Sequence, residues 1–163
     1  EAVAATDAGV KLLSMPEALW EWFMKKKKRI VVAGTHGKTT TTGMLVYILD
    51  QLGLDPGALV GGVLRDYGTN YRHGNGDYFV IEGDEYDTAY FDKAPKFMHY
   101  KPNFLVLTNI EYDHADIFPD LDTILEWFKK LVASVPADGV IIAPAEDENV
   151  AKVLGAAKAK VVT

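Results

Sequence analysis

One stretch constrains the fold more than any other: Arg29-Ile30-Val31-Val32-Ala33-Gly34-Thr35-His36-Gly37-Lys38-Thr39-Thr40-Thr41-Thr42-Gly43. β-Branched residues run into a glycine turn, then a lysine, a run of threonines and an apolar pattern at helical spacing. Strand, glycine-rich loop, Lys-Thr and helix in that order predict a phosphate-binding loop. Glycines let backbone N–H groups curl around phosphate oxygens, and the helix N-terminus adds unpaired donors and partial positive charge. The candidate phosphate contacts are Gly34, Thr35, His36, Gly37, Lys38, Thr39 and Thr40. Lys38 is expected to reach the β/γ-phosphates and the Thr39 hydroxyl to face a Mg²⁺. His36 either touches phosphate or packs beneath it. Threonines and glycine make a poor first helical turn, so a bound ligand is expected to compensate. The interval from Gly34 to Gly37-Lys38 is shorter than the G-x-x-x-x-G-K of common P-loop proteins, which points away from ordinary GTPases and ATPases.

The rest of the chain alternates strands and helices. Residues 1–13 are weakly patterned. Ser14-Met15-Pro16-Glu17 reads as a capping box with proline in the first turn, opening a helix through Leu19, Trp20, Phe23 and Met24. The basic run Lys25 to Arg29 is expected to be the solvated end of that helix. After the loop, Met44, Leu45, Ile48, Leu49 and Leu52 recur at helical spacing, with Gly53 as the stop. Residues 54–77 are glycine-rich and are expected to be loops, or short edge strands around Ala58–Leu64. Strands are expected at Tyr78–Ile81, Phe104–Thr108, Gly139–Ile142 and Lys160–Val162, with a short helix from Asn149 to Ala157. Asp120 is expected to cap a helix with Leu121, Ile124, Leu125, Phe128, Leu131, Val132 and Val135 on one face. Strands this uniformly apolar imply a mainly parallel, doubly wound α/β sheet covered on both sides.

Bulk properties narrow the class. A chain of 163 residues that is 48% hydrophobic and 25% charged suits one globular domain. The net charge of −6 argues against a nucleic-acid binder held by phosphate contacts. With no cysteine there is neither a disulfide framework nor a thiolate zinc site. No signal peptide and no membrane-spanning run are evident, so a cytoplasmic location away from membranes is expected. Both ends look cut, as in a piece of a larger protein.

Ligands of open α/β sheets sit beyond the carboxyl ends of the strands. Three strands here end in polar chemistry, at Gly34–Thr39, Glu82–Asp87 and Asn109–His114. Glu82, Asp84, Glu85 and Asp87 crowd one strand end, with Glu111, Asp113 and Asp116 nearby in the chain. Like charges so close repel, and Mg²⁺ held with nucleotide phosphates relieves them. Asn109-Ile110-Glu111-Tyr112 lacks the lysine of a GTPase base-reading box. A small-molecule kinase would tolerate the loop but has no evident need of Asp113-His114.

Gly34-Thr35-His36-Gly37-Lys38-Thr39-Thr40-Thr41, the strand ending Glu82-Gly83-Asp84-Glu85, and Thr108-Asn109-Ile110-Glu111-Tyr112-Asp113-His114 together resemble the central ATPase domain of the Mur ligases. The resemblance runs from about Ser14 to the end. It implies a ligase using ATP and Mg²⁺ to join an amino acid or peptide to UDP-N-acetylmuramate. Glu82-Gly83-Asp84-Glu85-Tyr86-Asp87-Thr88, the insert Phe91–Pro102 and Asp113-His114-Ala115-Asp116-Ile117-Phe118 resemble the branch that adds L-alanyl-γ-D-glutamyl-meso-diaminopimelate in peptidoglycan recycling. The alternatives are the branch that adds L-alanine and a nucleotide-binding module without chemistry. By the same resemblance the catalytic residues are Lys38, Glu82 and His114, and the metal ligands are Thr39, Glu82 and His114. The domain boundaries implied are residues 1–28 as a lead-in from a missing N-terminal UDP-binding domain and 29–163 as the ATP-binding domain, with the C-terminal domain absent. Several family members carry a carbamylated lysine where Phe128 stands here, followed by Lys129 and Lys130, so no carbamate is assigned.

Overall fold

The computed structural model describes residues 1–89, 91–113 and 118–163. In chain order the elements are α1 (Ala2–Asp7), α2 (Met15–Leu19) continued by a π turn (Trp20–Met24), β1 (Lys28–Ala33), α3 (Lys38–Gln51), β2 (Gly57–Leu64), β3 (Thr69–Arg72) and β4 (Tyr78–Gly83). They continue with β5 (Asp87–Ala89), β6 (Asp92–Pro95), a 3₁₀ turn (Lys96–His99), β7 (Phe104–Leu107), α4 (Leu121–Ser134), β8 (Val140–Ile142), α5 (Glu148–Leu154) and β9 (Lys160–Val162). Among the described residues one sheet runs in the order β3-β2-β4-β1-β7-β8-β9, and β5 pairs with β6 in a separate hairpin. Every neighbouring pair from β2 to β9 is parallel, and β3 alone lies antiparallel, on β2.

The central strand shows why the sheet is double-faced. Ile30, Val31, Val32 and Ala33 are all buried, with Val31, Val32 and Ala33 fully so. Ile30 packs with Val46 of α3, Ala58, Val60, Leu64 and Val80 on one face. Val31 joins Ile81, Leu105, Phe97, Phe128 and Leu131 on the other. A strand with no wet side therefore reads as continuous hydrophobicity rather than alternation.

The predicted helix signals hold. Ser14 Oγ accepts from the Glu17 amide at 3.4 Å, and the Glu17 carboxylate accepts from the Ser14 amide at 2.8 Å. Asp120 accepts from the Thr123 amide at 2.8 Å to start α4. Three expectations are corrected. The segment around Ala58–Leu64 is an inner strand, β2, and β3 is the edge. A Cβ at Gly57 would sit 2.7 Å from the Phe79 ring, so that glycine reflects close packing of β2 on β4, not a loop. The last helix starts at Glu148 because Asp147 accepts from both Asn149 and Val150 amides at 2.9 Å, and it stops at Leu154.

The basic run is the third. It is only partly a solvated helix end, because Lys28 and Arg29 already belong to β1. Lys27 donates to the carbonyls of Gly74 and Gly76, and Arg29 donates to that of Lys101 at 2.7 Å.

Phe128 is 1% exposed and its ring lies 5.4 Å from that of Phe97. Phe128→Ala is expected to cost about 3–5 kcal/mol of unfolding free energy, read by urea denaturation.

Candidate phosphate and metal site

The carboxyl ends of β1, β4 and β7 lie side by side, since β1 pairs with both others. Each end turns out of the sheet into polar residues, and the glycine loop between β1 and α3 is tied to the segment after β7. The Thr35 amide donates to Asn109 O at 3.0 Å, and the Glu111 amide donates to Thr35 Oγ1 at 2.9 Å. The Asn109 side chain holds the other side of the loop, accepting from the His36 amide at 2.8 Å and donating to His36 O at 3.1 Å. The segment after β7 therefore braces the loop on both sides.

Two glycines make that shape possible, for different reasons. Gly34 has φ +136°, and a Cβ there would fall 2.2 Å from Thr108 Oγ1 and 2.7 Å from Asn109 O. Gly37 has φ +82° and open space where its side chain would point. It stands at the N-terminus of α3 with no side chain to cap it, so the first-turn amides of Lys38, Thr39 and Thr40 are left for an external acceptor. Thr39 and Thr40 are exposed there, whereas Thr42 is buried and donates to Lys38 O at 2.8 Å.

Glu82 is buried at 7% exposure and aimed at this opening. One carboxylate oxygen accepts from Thr39 Oγ1 at 3.1 Å, and the other accepts from the Gly61 amide at 2.6 Å. A Cβ at Gly61 would fall 2.9 Å from that carboxylate. Lys38 is folded back: its ammonium donates to Gly34 O at 2.7 Å and Thr35 O at 3.1 Å, and stands 3.1 Å from Glu85 Oε2.

The structure thus brings together Gly34, Thr35, Gly37, Lys38, Thr39 and Glu82. His36 is exposed, with its ring 4.0 Å from the Glu111 carboxylate, so it does not pack beneath the loop. His114, the remaining predicted catalytic and metal residue, lies outside the described residues, as do residues 115–117. The carboxylates of the acidic strand end meet different partners. Glu82 faces Thr39 and Glu85 faces Lys38, while Asp84 is 4.0 Å from Lys96 and Asp87 is 2.5 Å from Lys93. Among the described residues no trio of His, Asp or Glu could hold a metal. At the carbamate position Phe128 is core, Lys129 pairs with Glu126 at 2.7 Å, and Lys130 lies 4.0 Å from the Trp127 ring centroid.

Sequence reasoning missed three contributors: the Glu85 partner of Lys38, the Gly61 amide on Glu82, and the Asn109 brace. Each acts across a long interval of chain, and only the sheet order makes the partners neighbours.

A parallel sheet whose central strand feeds a braced glycine loop, a lysine and a helix N-terminus defines a P-loop-type α/β domain, with a buried carboxylate on the adjacent strand. The chain belongs to the Mur ligase family: residues 32–163 match the Mur ligase middle domain. It is 44% identical over 145 residues to UDP-N-acetylmuramate–L-alanyl-gamma-D-glutamyl-meso-2,6-diaminoheptandioate ligase of Haemophilus influenzae, covering 89% of this chain and 32% of the relative. It is 38% identical to UDP-N-acetylmuramate–L-alanine ligase of Desulforapulum autotrophicum, covering 94% and 32%. Its structure matches the UDP-N-acetylmuramate:L-alanyl-gamma-D-glutamyl-meso-diaminopimelate ligase of Neisseria meningitides with a TM-score of 0.90 at 40% identity, covering 98% of this chain and 52% of that one. The chain thus spans about a third of the length of the curated relatives it matches. No helix among the described residues is long and apolar enough to cross a membrane.

Proposed function

We propose that this chain is the ATP-binding domain of a ligase that joins L-alanyl-γ-D-glutamyl-meso-diaminopimelate to UDP-N-acetylmuramate. The observation that carries it is the Glu82 carboxylate set 3.1 Å from the Thr39 hydroxyl at the mouth of the loop. A hydroxyl beside a buried carboxylate, one on the phosphate loop and one on the next strand, fits Mg²⁺ that takes its other ligands from phosphates and water. The Gly61 amide holds the carboxylate in place, and His114 is the proposed further ligand. An ion held by Thr39 and Glu82 would supply charge neutralisation to the transferring phosphoryl group. Lys38, the free amides of α3 and Thr39 position the triphosphate; Gly37 leaves it room.

In the reaction proposed, the muramyl carboxylate attacks the γ-phosphorus of ATP and ADP leaves. The peptide amine then attacks the resulting acyl phosphate and phosphate leaves. Such chemistry asks the protein for positioning and charge neutralisation. Residues 1–28 are proposed as the lead-in from a UDP-binding domain, and the amine site is assigned to sequence beyond this chain. A cytoplasmic location suits these substrates.

The tripeptide is favoured over L-alanine by 44% against 38% identity to the two kinds of relative. The structural match to the L-alanine ligase of Thermotoga maritima is also weaker, with a TM-score of 0.71 at 28% identity. In the intact protein, phosphate release should require UDP-N-acetylmuramate and the tripeptide together. Free L-alanine should give kcat/KM lower by about a hundredfold or more. Equal turnover with L-alanine would move the assignment to the other branch, and nucleotide binding without turnover would make the protein a module. Measurable amide formation by the 163 residues alone would refute the division of labour proposed here.

A further inference from the structure

A lysine ammonium has three N–H donors and no acceptor. In this structure Lys38 directs them to Gly34 O at 2.7 Å, Thr35 O at 3.1 Å and Glu85 Oε1 at 3.3 Å, with Glu85 Oε2 3.1 Å from the ammonium. None is left for a phosphate oxygen. The side chains of Lys38 and Glu85 are 13% and 6% exposed, so solvent ions screen the pair poorly. A phosphate that enters the loop meets Lys38 only after one of these contacts is given up.

The partners differ in how readily they are exchanged. The two carbonyls belong to the loop itself, which Asn109 and Thr35 hold in place. They are neutral and do not oppose an incoming anion. Glu85 is anionic, competes with phosphate for the same ammonium and repels it at short range. Nor does its backbone move freely, for Asp84 O accepts from the Phe97 amide at 3.3 Å and Tyr86 O accepts from the Lys96 amide at 3.0 Å. Glu85 is thus held on both sides by the 3₁₀ turn at Lys96–His99, opposite Lys38.

We propose that Glu85 is a positioning residue that latches Lys38 to the loop, and that nucleotide phosphate binds by taking Glu85's place on the ammonium. The latch keeps Lys38 ordered in the absence of nucleotide and lowers affinity for every phosphate that must displace it. This rests on the nucleotide-binding reading above.

The test is E85Q in the intact protein, titrated calorimetrically with ADP in the presence of EDTA and again with Mg²⁺. The side chain keeps its shape and loses its charge, so ADP should bind about fivefold tighter in both conditions. A residue that merely supported the fold would weaken binding when replaced. Unchanged or weaker affinity overturns the latch, including a weakening seen only with Mg²⁺, which would make Glu85 a metal-holding group. If the wild-type protein binds no ADP, the nucleotide reading falls and the latch with it; wild-type binding with no gain in E85Q removes the latch alone. Reductive methylation of Lys38 without nucleotide, followed by mass spectrometry, is the second readout and should be faster in E85Q. Should that variant not fold, Glu85→Asp, whose carboxylate stops a methylene short, carries the same two measurements.

Discussion

Lys38→Met in the intact protein is expected, on the function proposed above, to lower kcat/KM about a thousandfold while leaving the fold in place. The magnitude follows from removing one preorganised positive charge from the site proposed for phosphoryl transfer, where negative charge would shift between phosphoryl oxygens. A second effect comes with it. Glu85 is nearly as buried as the core, and without Lys38 its carboxylate has lost the cation that faces it. Breaking a buried pair on one side costs about 3–5 kcal/mol of stability. The two effects separate in the double variant Lys38→Met with Glu85→Gln, which should recover most of the stability and none of the activity. Urea denaturation and a coupled phosphate-release assay on the same preparations read both. Full activity in Lys38→Met would remove Lys38 from the chemistry.

Gly34→Ala is expected to be the most damaging single change to the loop. Its added methyl would stand 2.2 Å from Thr108 Oγ1, 2.7 Å from Asn109 O and 3.0 Å from Asn109 N. Two of those atoms are backbone of the segment that braces the loop, and they cannot rotate away. The φ of +136° is also one that an L side chain resists. Overpacking and backbone strain together should cost about 3 kcal/mol, and the loop would part from Asn109. Gly37→Ala is the instructive contrast, because its methyl meets nothing within 4 Å. It should cost only about 1 kcal/mol of strain at φ +82°, yet it projects into the space reserved for phosphate. Stability should fall mainly in Gly34→Ala, and ADP affinity should fall in both. A Gly34→Ala protein with wild-type melting temperature and affinity would show that the loop is not held as described.

Several features of the fold were legible before any coordinates. Ser14 to Glu17 and Asp120 announced helix starts because a cap is a local contact, closed within three residues by the chain's own geometry. The β1–loop–α3 unit was legible for the same reason, since its glycines, lysine and threonines serve one short turn. The stretch from Gly57 to Arg72 reads as loop or short edge strand, not as inner strand β2 with edge strand β3, because its glycines answer to neighbours distant in sequence. Gly57 makes room for Phe79, and Gly61 makes room for the Glu82 carboxylate. The actual partners of Glu82, Asp84, Glu85 and Asp87 are set by which element each side chain meets.

By itself, the sequence determined the β1–loop–α3 unit, most of the other helices and inner strands, and the family, because each is written in spacings of a few residues. Only the tertiary structure decided that β4 and β7 flank β1, so that Glu82 meets Thr39, Asn109 clasps His36 and Glu85 holds Lys38. The reason is physical: a parallel sheet brings together strand ends that are separated by whole crossovers of chain, and no local propensity records which strand will lie beside which.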